Sequence, residues 1–237
     1  MAVPLRQVVP VISMIFEYIK QSFFFLRQNL KTLVAINLPF IIISYLFVQQ
    51  FDLSLNNQTP QQLADSMLTI TVFNLLIMPI YWGATIAFMQ STIDGQPFTA
   101  SQALMACSKS WFKLFVVFTL YSLLISMGLL LLILPGIYIA IRLSISDYIC
   151  IIEKRSITQC LNDSWQQTKD YVWPIFQGVA VISISVLILR SLALNLTHAI
   201  FPDQMGPTIL INICFDILNL LVLIYGFRIY CIIKAEL

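Results

Sequence analysis

Arg142, Asp147, Arg190 and Asp216 carry charge inside stretches otherwise built from Leu, Ile, Val and Phe. A charged side chain at the centre of a bilayer costs about 2.5–3.5 kcal/mol on insertion scales, so each needs a partner, water or a task. Arg142 stands six residues past Pro135-Gly136, and Asp147 stands five further on. On a helix turning by about 100° per residue the two diverge by about 140°, so they face different neighbours. Arg190 and Asp216 fall toward the outer ends of the last two apolar stretches, where an ion pair between them is expected. Asn74, Asn212 and Asn219 add amides able to hydrogen-bond across helices. Two roles compete for this candidate intramembrane polar site. The charges orient and glue a helix bundle, with Arg190 and Arg228 snorkelling to the interface, or they line a translocation path or a lipid head-group site.

Catalytic readings are weaker. The single histidine, His198, lies in an outer loop near Asp203, and nothing flags a nucleophile to complete a triad. The chain contains no HExxH, P-loop or GxGxxG sequence, and no paired acids at metal-ligand spacing. No catalytic residue, metal or cofactor is expected. Cys107, Cys150, Cys160, Cys214 and Cys231 lack CxxC spacing and read as packing residues, not as a disulfide framework. Three sequons, at Asn57, Asn162 and Asn195, match an acceptor pattern too short to be specific.

The elements that position these residues follow from composition. Of 237 residues, 59% are hydrophobic and 10% charged, against about 25% charged in soluble domains. Mean hydropathy is +0.88. About 20 apolar residues cross a hydrocarbon core, and six such stretches are present. They lie near Leu33–Phe51, Met67–Ser91, Phe112–Leu134, Ile137–Ile152, Val172–Leu194 and Thr208–Ile232. Leu134-Pro135-Gly136 reads as a tight turn forcing an antiparallel pair. The fourth stretch, short and bearing Arg142 and Asp147, is the least secure crossing. Arg6, Glu17, Lys20 and Arg27 interrupt any signal-peptide core. A net charge of +2, widely scattered, points to no nucleic-acid partner.

Lys and Arg concentrate in the N-terminal region, after the second and fourth stretches, and in the C-terminal tail. Asp52–Ser66 and Asn195–Pro207 contain none, so by the positive-inside rule they face outward and both termini are cytoplasmic. Ahead of the first stretch, Ile12, Ile15, Phe16, Ile19, Phe23 and Leu26 share one helical face opposite Glu17, Lys20, Gln21 and Gln28. Such a cationic amphipathic helix either lies in the head-group layer, anchored by Lys20 and Arg27, or packs on the bundle end.

Thr99-Ala100-Ser101-Gln102-Ala103-Leu104 matches Ser156-Ile157-Thr158-Gln159-Cys160-Leu161 in chemical type, and each begins with a capping box. Each leads through Trp (Trp111; Trp165 and Trp173), a residue suited to the interface, into a pair of spans. A third capping box at Thr59–Gln62, with Pro60 at the first position, starts the second span. The fold expected is therefore all-α: a single integral membrane domain over 1–237 with six transmembrane helices. It is built as three hairpins, each preceded by a cytoplasmic interfacial amphipathic helix, over repeat units 13–91, 99–152 and 156–232.

The run Leu134-Pro135-Gly136-Ile137-Tyr138, with Arg142 and then Glu153 to Trp165, resembles the YciC-like family of uncharacterised inner-membrane proteins of Gram-negative bacteria. That family looks related to the membrane domain accompanying some glycerophosphodiester phosphodiesterases. The resemblance implies a multi-pass bacterial inner-membrane protein without assigned activity, and it supplies no catalytic residues. The leading expectation is a non-enzymatic component of the bacterial envelope that interacts with membrane lipids, with a protein partner or homo-oligomer left open. The alternative is a small transporter or lipid-handling protein using the intramembrane Arg and Asp residues. A polar cavity reaching the membrane midplane favours the alternative, and a dry bundle favours the first.

Overall fold

The computed structural model describes residues 11–51, 59–201 and 205–236, and every regular element among them is helical. Arg6, Asp203, Asn57 and most of the segment between the first two spans lie outside the described residues. The chain runs α1 (Val11–Gln28), α2 (Leu30–Val48), α3 (Pro60–Ile93), α4 (Ala100–Ser108), α5 (Trp111–Leu131) and α6 (Ile133–Arg142). It continues through α7 (Ser146–Tyr148) into a π-helical turn at Ile149–Glu153, then α8 (Ile157–Gln167), α9 (Val172–Ile200) and α10 (Met205–Glu236). Six segments are long and apolar enough to cross a membrane: α2, α3, α5, the interrupted segment Ile133–Glu153, α9 and α10.

Local chemistry sets the helix ends. Thr59 N–H donates to Gln62 Oε1 at 3.0 Å while Gln62 N–H donates to Thr59 Oγ1 at 3.3 Å, so a closed capping box starts α3. Thr99 and Gln102 repeat the arrangement at 2.9 and 3.4 Å before α4, and Ser156 N–H donates to Gln159 Oε1 at 3.2 Å before α8. At the other end of α3, Gly95 adopts φ +77°. Gly95 N–H donates to Thr92 O and Gln96 N–H to Ser91 O, at 3.3 and 3.0 Å, the paired bonds of a Schellman stop.

Three expectations change. The turn between the third and fourth spans falls at Leu132, whose backbone is extended (φ −164°, ψ 151°), and Pro135 and Gly136 lie inside the first turns of α6. Proline is tolerated there because its missing N–H would have no helical acceptor. The stretch Asn195–Pro207 is mostly helix: α9 runs to Ile200 and α10 begins at Met205, which places His198 in the last turn of α9, not in a loop. The fourth span is not one helix. It breaks over Leu143–Ile145 and resumes as α7 and the π-turn.

α2 lies on α3, α5 on α6 and α9 on α10, while α10 also touches α1 and α2. α5 and α6 meet backbone to backbone, since a Cβ added at Gly128 would stand 2.8 Å from Gly136 Cα. Half of the span Ile133–Glu153 is buried, against 6–28% of the other five. That burial makes its broken backbone tolerable, because irregular chain at bilayer depth must be enclosed by protein. Leu130 and Leu134, by contrast, are 87% and 79% exposed, a surface that lipid and not water would cover.

Candidate functional site

Helical spacing on three elements gathers one polar wall. Asn37, Ile41, Ser44 and Tyr45 recur at i, i+4, i+7 and i+8 on α2; Asp216, Asn219 and Leu220 at i, i+3 and i+4 on α10; Asn74 and Tyr81 at i and i+7 on α3. These faces enclose a cavity of about 450 Å³. Asn37, Asn74, Asp216 and Asn219 all fall in the middle thirds of their helices, away from the helix ends.

Asn37 is fully buried. Its Nδ2 donates to Leu33 O at 2.8 Å and to Thr85 Oγ1 at 3.0 Å. The Thr85 hydroxyl already donates to Tyr81 O at 2.8 Å. Both neighbours therefore accept, which fixes the amide orientation and leaves Asn37 Oδ1 without a donor. An unmet buried acceptor costs about 1–3 kcal/mol.

At the cavity's charged side the expected ion pair is formed: Arg190 Nη1 lies 3.5 Å from Asp216 Oδ1. Arg190 also donates through Nε and Nη2 to Asn212 Oδ1, at 3.1 and 2.8 Å, and the Tyr45 hydroxyl lies beside both charges. Arg190 comes from α9, so the pair ties α9 to α10 and orients the carboxylate that lines the cavity.

Asp147 faces a different space. A second cavity of about 320 Å³ is lined by Asp147, Tyr121, Ser144 and Tyr148, among mainly apolar side chains. Asp147 accepts from Trp82 Nε1 at 2.7 Å and from the Tyr148 N–H at 3.1 Å. Trp82 and Val222 belong to the walls of both cavities, so the indole is the partition between them.

Arg142 lines neither space. It ends α6 buried, with its guanidinium 4.8 Å from the Trp165 ring centre and 5.7 Å from that of Tyr138, and Nη2 donates to Trp165 O. In return Ser164 and Thr168 hydroxyls donate to Arg142 O at 2.9 and 3.0 Å, capping the interrupted helix. Arg142 thus positions α8. Of the expected interfacial anchors, Trp165 is the ring under Arg142, and Trp173 is 62% exposed beside Phe176. Lys20 and Arg27 are exposed on α1. Trp111 Nε1 reaches across to Leu76 O at 3.1 Å, and Cys107 Sγ donates to Pro79 O at 3.4 Å, so two carbonyls of α3 around its internal Pro79 gain donors from outside. Burial pushes the Cys107 thiol up to about 12, leaving it neutral and unreactive at physiological pH. All five cysteines are free, and Cys214 is exposed on the apolar surface, not packed.

Asn37, Ser44, Tyr45 and Trp82 were not marked by their residue type in the sequence. The signal that could have found them is the polar stripe at i, i+7 and i+8 within an otherwise apolar α2. Among the described residues no three His, Cys, Asp or Glu side chains converge as metal ligands would.

The model of an uncharacterised protein family, UPF0259, matches residues 7–232. A UPF0259 membrane protein of Pectobacterium carotovorum is 28% identical over 156 residues, 65% of this chain and 60% of the relative. Another, from Photorhabdus laumondii, is 24% identical over 166 residues, 70% of this chain and 64% of the relative. The match therefore spans less than two thirds of either relative's own length. No solved structure matches.

Proposed function

Because the chain belongs to the uncharacterised protein family UPF0259, whose relatives are named only as membrane proteins, we propose a function from its own geometry. It is a non-enzymatic, multi-pass inner-membrane protein that takes a small polar solute or a lipid head group into the cavity between α2, α3 and α10. The observation that carries this reading is the convergence of Ser44, Tyr45, Asn74, Asp216 and Asn219 on one cavity between helices long and apolar enough to span a membrane. A bundle built only for packing has little use for so many amide and carboxylate groups around one space; an occupant donating N–H or O–H gives them partners. Asp216, held by Arg190, supplies a carboxylate acceptor on that wall. The Trp82 partition leads from this cavity toward Asp147, the order of spaces a translocation path needs.

The test is solvent access. In a cysteine-free background held in lipid nanodiscs, Ser44→Cys and Asn219→Cys are expected to react with a charged, membrane-impermeant thiol reagent. Leu187→Cys, 65% exposed at the middle of α9, is expected to resist because lipid covers it. Equal resistance at all three positions means a dry bundle and ends the proposal.

A second reading is a membrane-interaction component of the envelope. It is supported by α1, which keeps Ile15 and Leu26 in the bundle yet leaves Phe16, Phe23 and Phe24 exposed near Lys20 and Arg27. Both termini on the cytoplasmic side, and three units at 13–91, 99–152 and 156–232, belong to the same proposal. The recurring capping boxes before α4 and α8 support the units. The kinship with YciC-like proteins and with the membrane domain of glycerophosphodiester phosphodiesterases rests on the local motif alone.

A further inference from the structure

At the Lys-rich end of the bundle, α3, α4, the start of α5 and the π-turn border an open cleft of about 600 Å³, in which Lys109 and Lys154 are both exposed. It shares no wall residue with either cavity described above. Its polar wall is Lys109, Lys154, Ser110, Gln90 and Asp94. The carboxylate is already engaged, since Gln90 Nε2 donates to Asp94 Oδ1 at 2.9 Å. Neither lysine ammonium has a hydrogen-bond or ion-pair partner among the described residues. Nearby cations do: Lys234 and Arg155 lie 2.8 and 3.5 Å from Glu153. The Ser110 hydroxyl makes no cap bond to α5.

The backbone at Lys154 adds an independent observation. Its φ is +53°, in the left-handed region, where a residue with a Cβ is strained by about 1–2 kcal/mol relative to the right-handed form. Glycine would relieve that strain, yet a lysine stands there. The conformation is held by Lys113 of α5, whose Nζ donates to Lys154 O at 3.4 Å and to Arg155 O at 2.9 Å. The turn so fixed makes Lys154 part of the wall that Lys109 shares. Lys154 is the left-handed cap that ends the π-turn, which turns its backbone position toward α4 and the cleft.

We infer that this space binds a phosphate-bearing anion between Lys109 and Lys154. Two ammonium groups and a free hydroxyl match the oxygens of a phosphate, and the two lysines outnumber the one carboxylate, Asp94, so the wall is net positive. Phe98, Ile151 and Ile152 line the remainder, an apolar surface suited to the glycerol and upper acyl chain of an anionic phospholipid. A free phosphate would use the lysines and leave that surface bare.

The test uses the purified full chain in a neutral detergent. Retention of dioleoylphosphatidylglycerol, with dioleoylphosphatidylcholine as control, is read by native mass spectrometry, and inorganic phosphate by the shift in melting temperature. Phosphatidylglycerol is expected to be retained over phosphatidylcholine, with binding on the order of tenfold weaker in the double variant Lys109→Gln, Lys154→Gln. The charge-keeping pair Lys109→Arg, Lys154→Arg is expected to retain it, which separates loss of the site from loss of the fold. Lys169→Gln, which removes one equivalent charge elsewhere, is expected to change nothing. A phosphate-induced shift that the double Gln variant abolishes, without lipid retention, assigns the site to a soluble phosphate. Binding of both probes unchanged in the double Gln variant, or reduced as much by Lys169→Gln, overturns the inference.

Discussion

Arg142 is 5% exposed, and the neighbours of its guanidinium are two aromatic rings and the Trp165 carbonyl, not a carboxylate. Rings and a carbonyl dipole solvate the cation, while the Arg142 carbonyl takes the hydroxyls of Ser164 in α8 and of Thr168, the residue that ends it. Arginine suits this because its planar fork stacks and donates at once, which an ammonium cannot do. Replacing Arg142 by Leu removes the ring contacts and the hydrogen bond together, an expected loss of about 2–4 kcal/mol. It is checked by thermal unfolding in detergent, with a fall of several degrees expected. Labelling of Ser44→Cys should be unchanged in the same background, because Arg142 lines neither the Asp216 nor the Asp147 cavity. A stable Arg142→Leu protein with altered cavity access would instead give Arg142 a role in the path.

At the scale of elements, the interrupted fourth span is the part that needs most support. α6 ends at Arg142, α7 restarts at Ser146, and the chain between them is enclosed by protein. Tyr148 secures the restart by donating to Leu223 O of α10 at 2.8 Å, stacked at 5.8 Å on Tyr230. The contact of α5 with α6 depends on having no side chain at Gly128 and Gly136, where an added Cβ would approach backbone atoms to 2.8 Å. Gly128→Val is therefore expected to separate α5 from α6 and lower the melting temperature more than a valine at exposed Leu130 does. Comparing those two variants by thermal unfolding decides it. The helix stops and starts themselves are short-range chemistry: capping boxes at Thr59, Thr99 and Ser156, and a left-handed Gly95.

For the whole molecule, six apolar spans are threaded so that Lys109, Lys113, Lys154, Arg155 and Lys234 gather at one end. The positive-inside rule assigns that end to the cytoplasm. A phosphatase that is active only outside the cytoplasm, fused after Glu236, is expected to be inactive, and the same enzyme inserted after Leu132 is expected to be active. The reverse pattern would invert the molecule in the membrane and move the phosphate-binding space to the outer face.

The number and rough placement of the spans follow from the sequence alone, because hydropathy is a sum over consecutive residues and needs no knowledge of neighbours. Capping boxes and the Arg190–Asp216 pair were legible for the same reason: their partners are three residues away, or on helices joined by a short loop. The cavity was not. Asn37, Ser44 and Tyr45 read singly as polar exceptions in α2, and their meaning depends on which helices meet that face. Only packing decides that α3 and α10 meet there, that Trp82 divides one space from the next, and that Thr85 accepts from Asn37 and leaves its oxygen unmet. Arg142 moved the other way, from a candidate site to a brace for α8, since its solvation comes from Trp165, 23 residues further along the chain. Charge within an apolar stretch announces that a partner must exist; which partner, and whether space is left beside it, belongs to the tertiary structure.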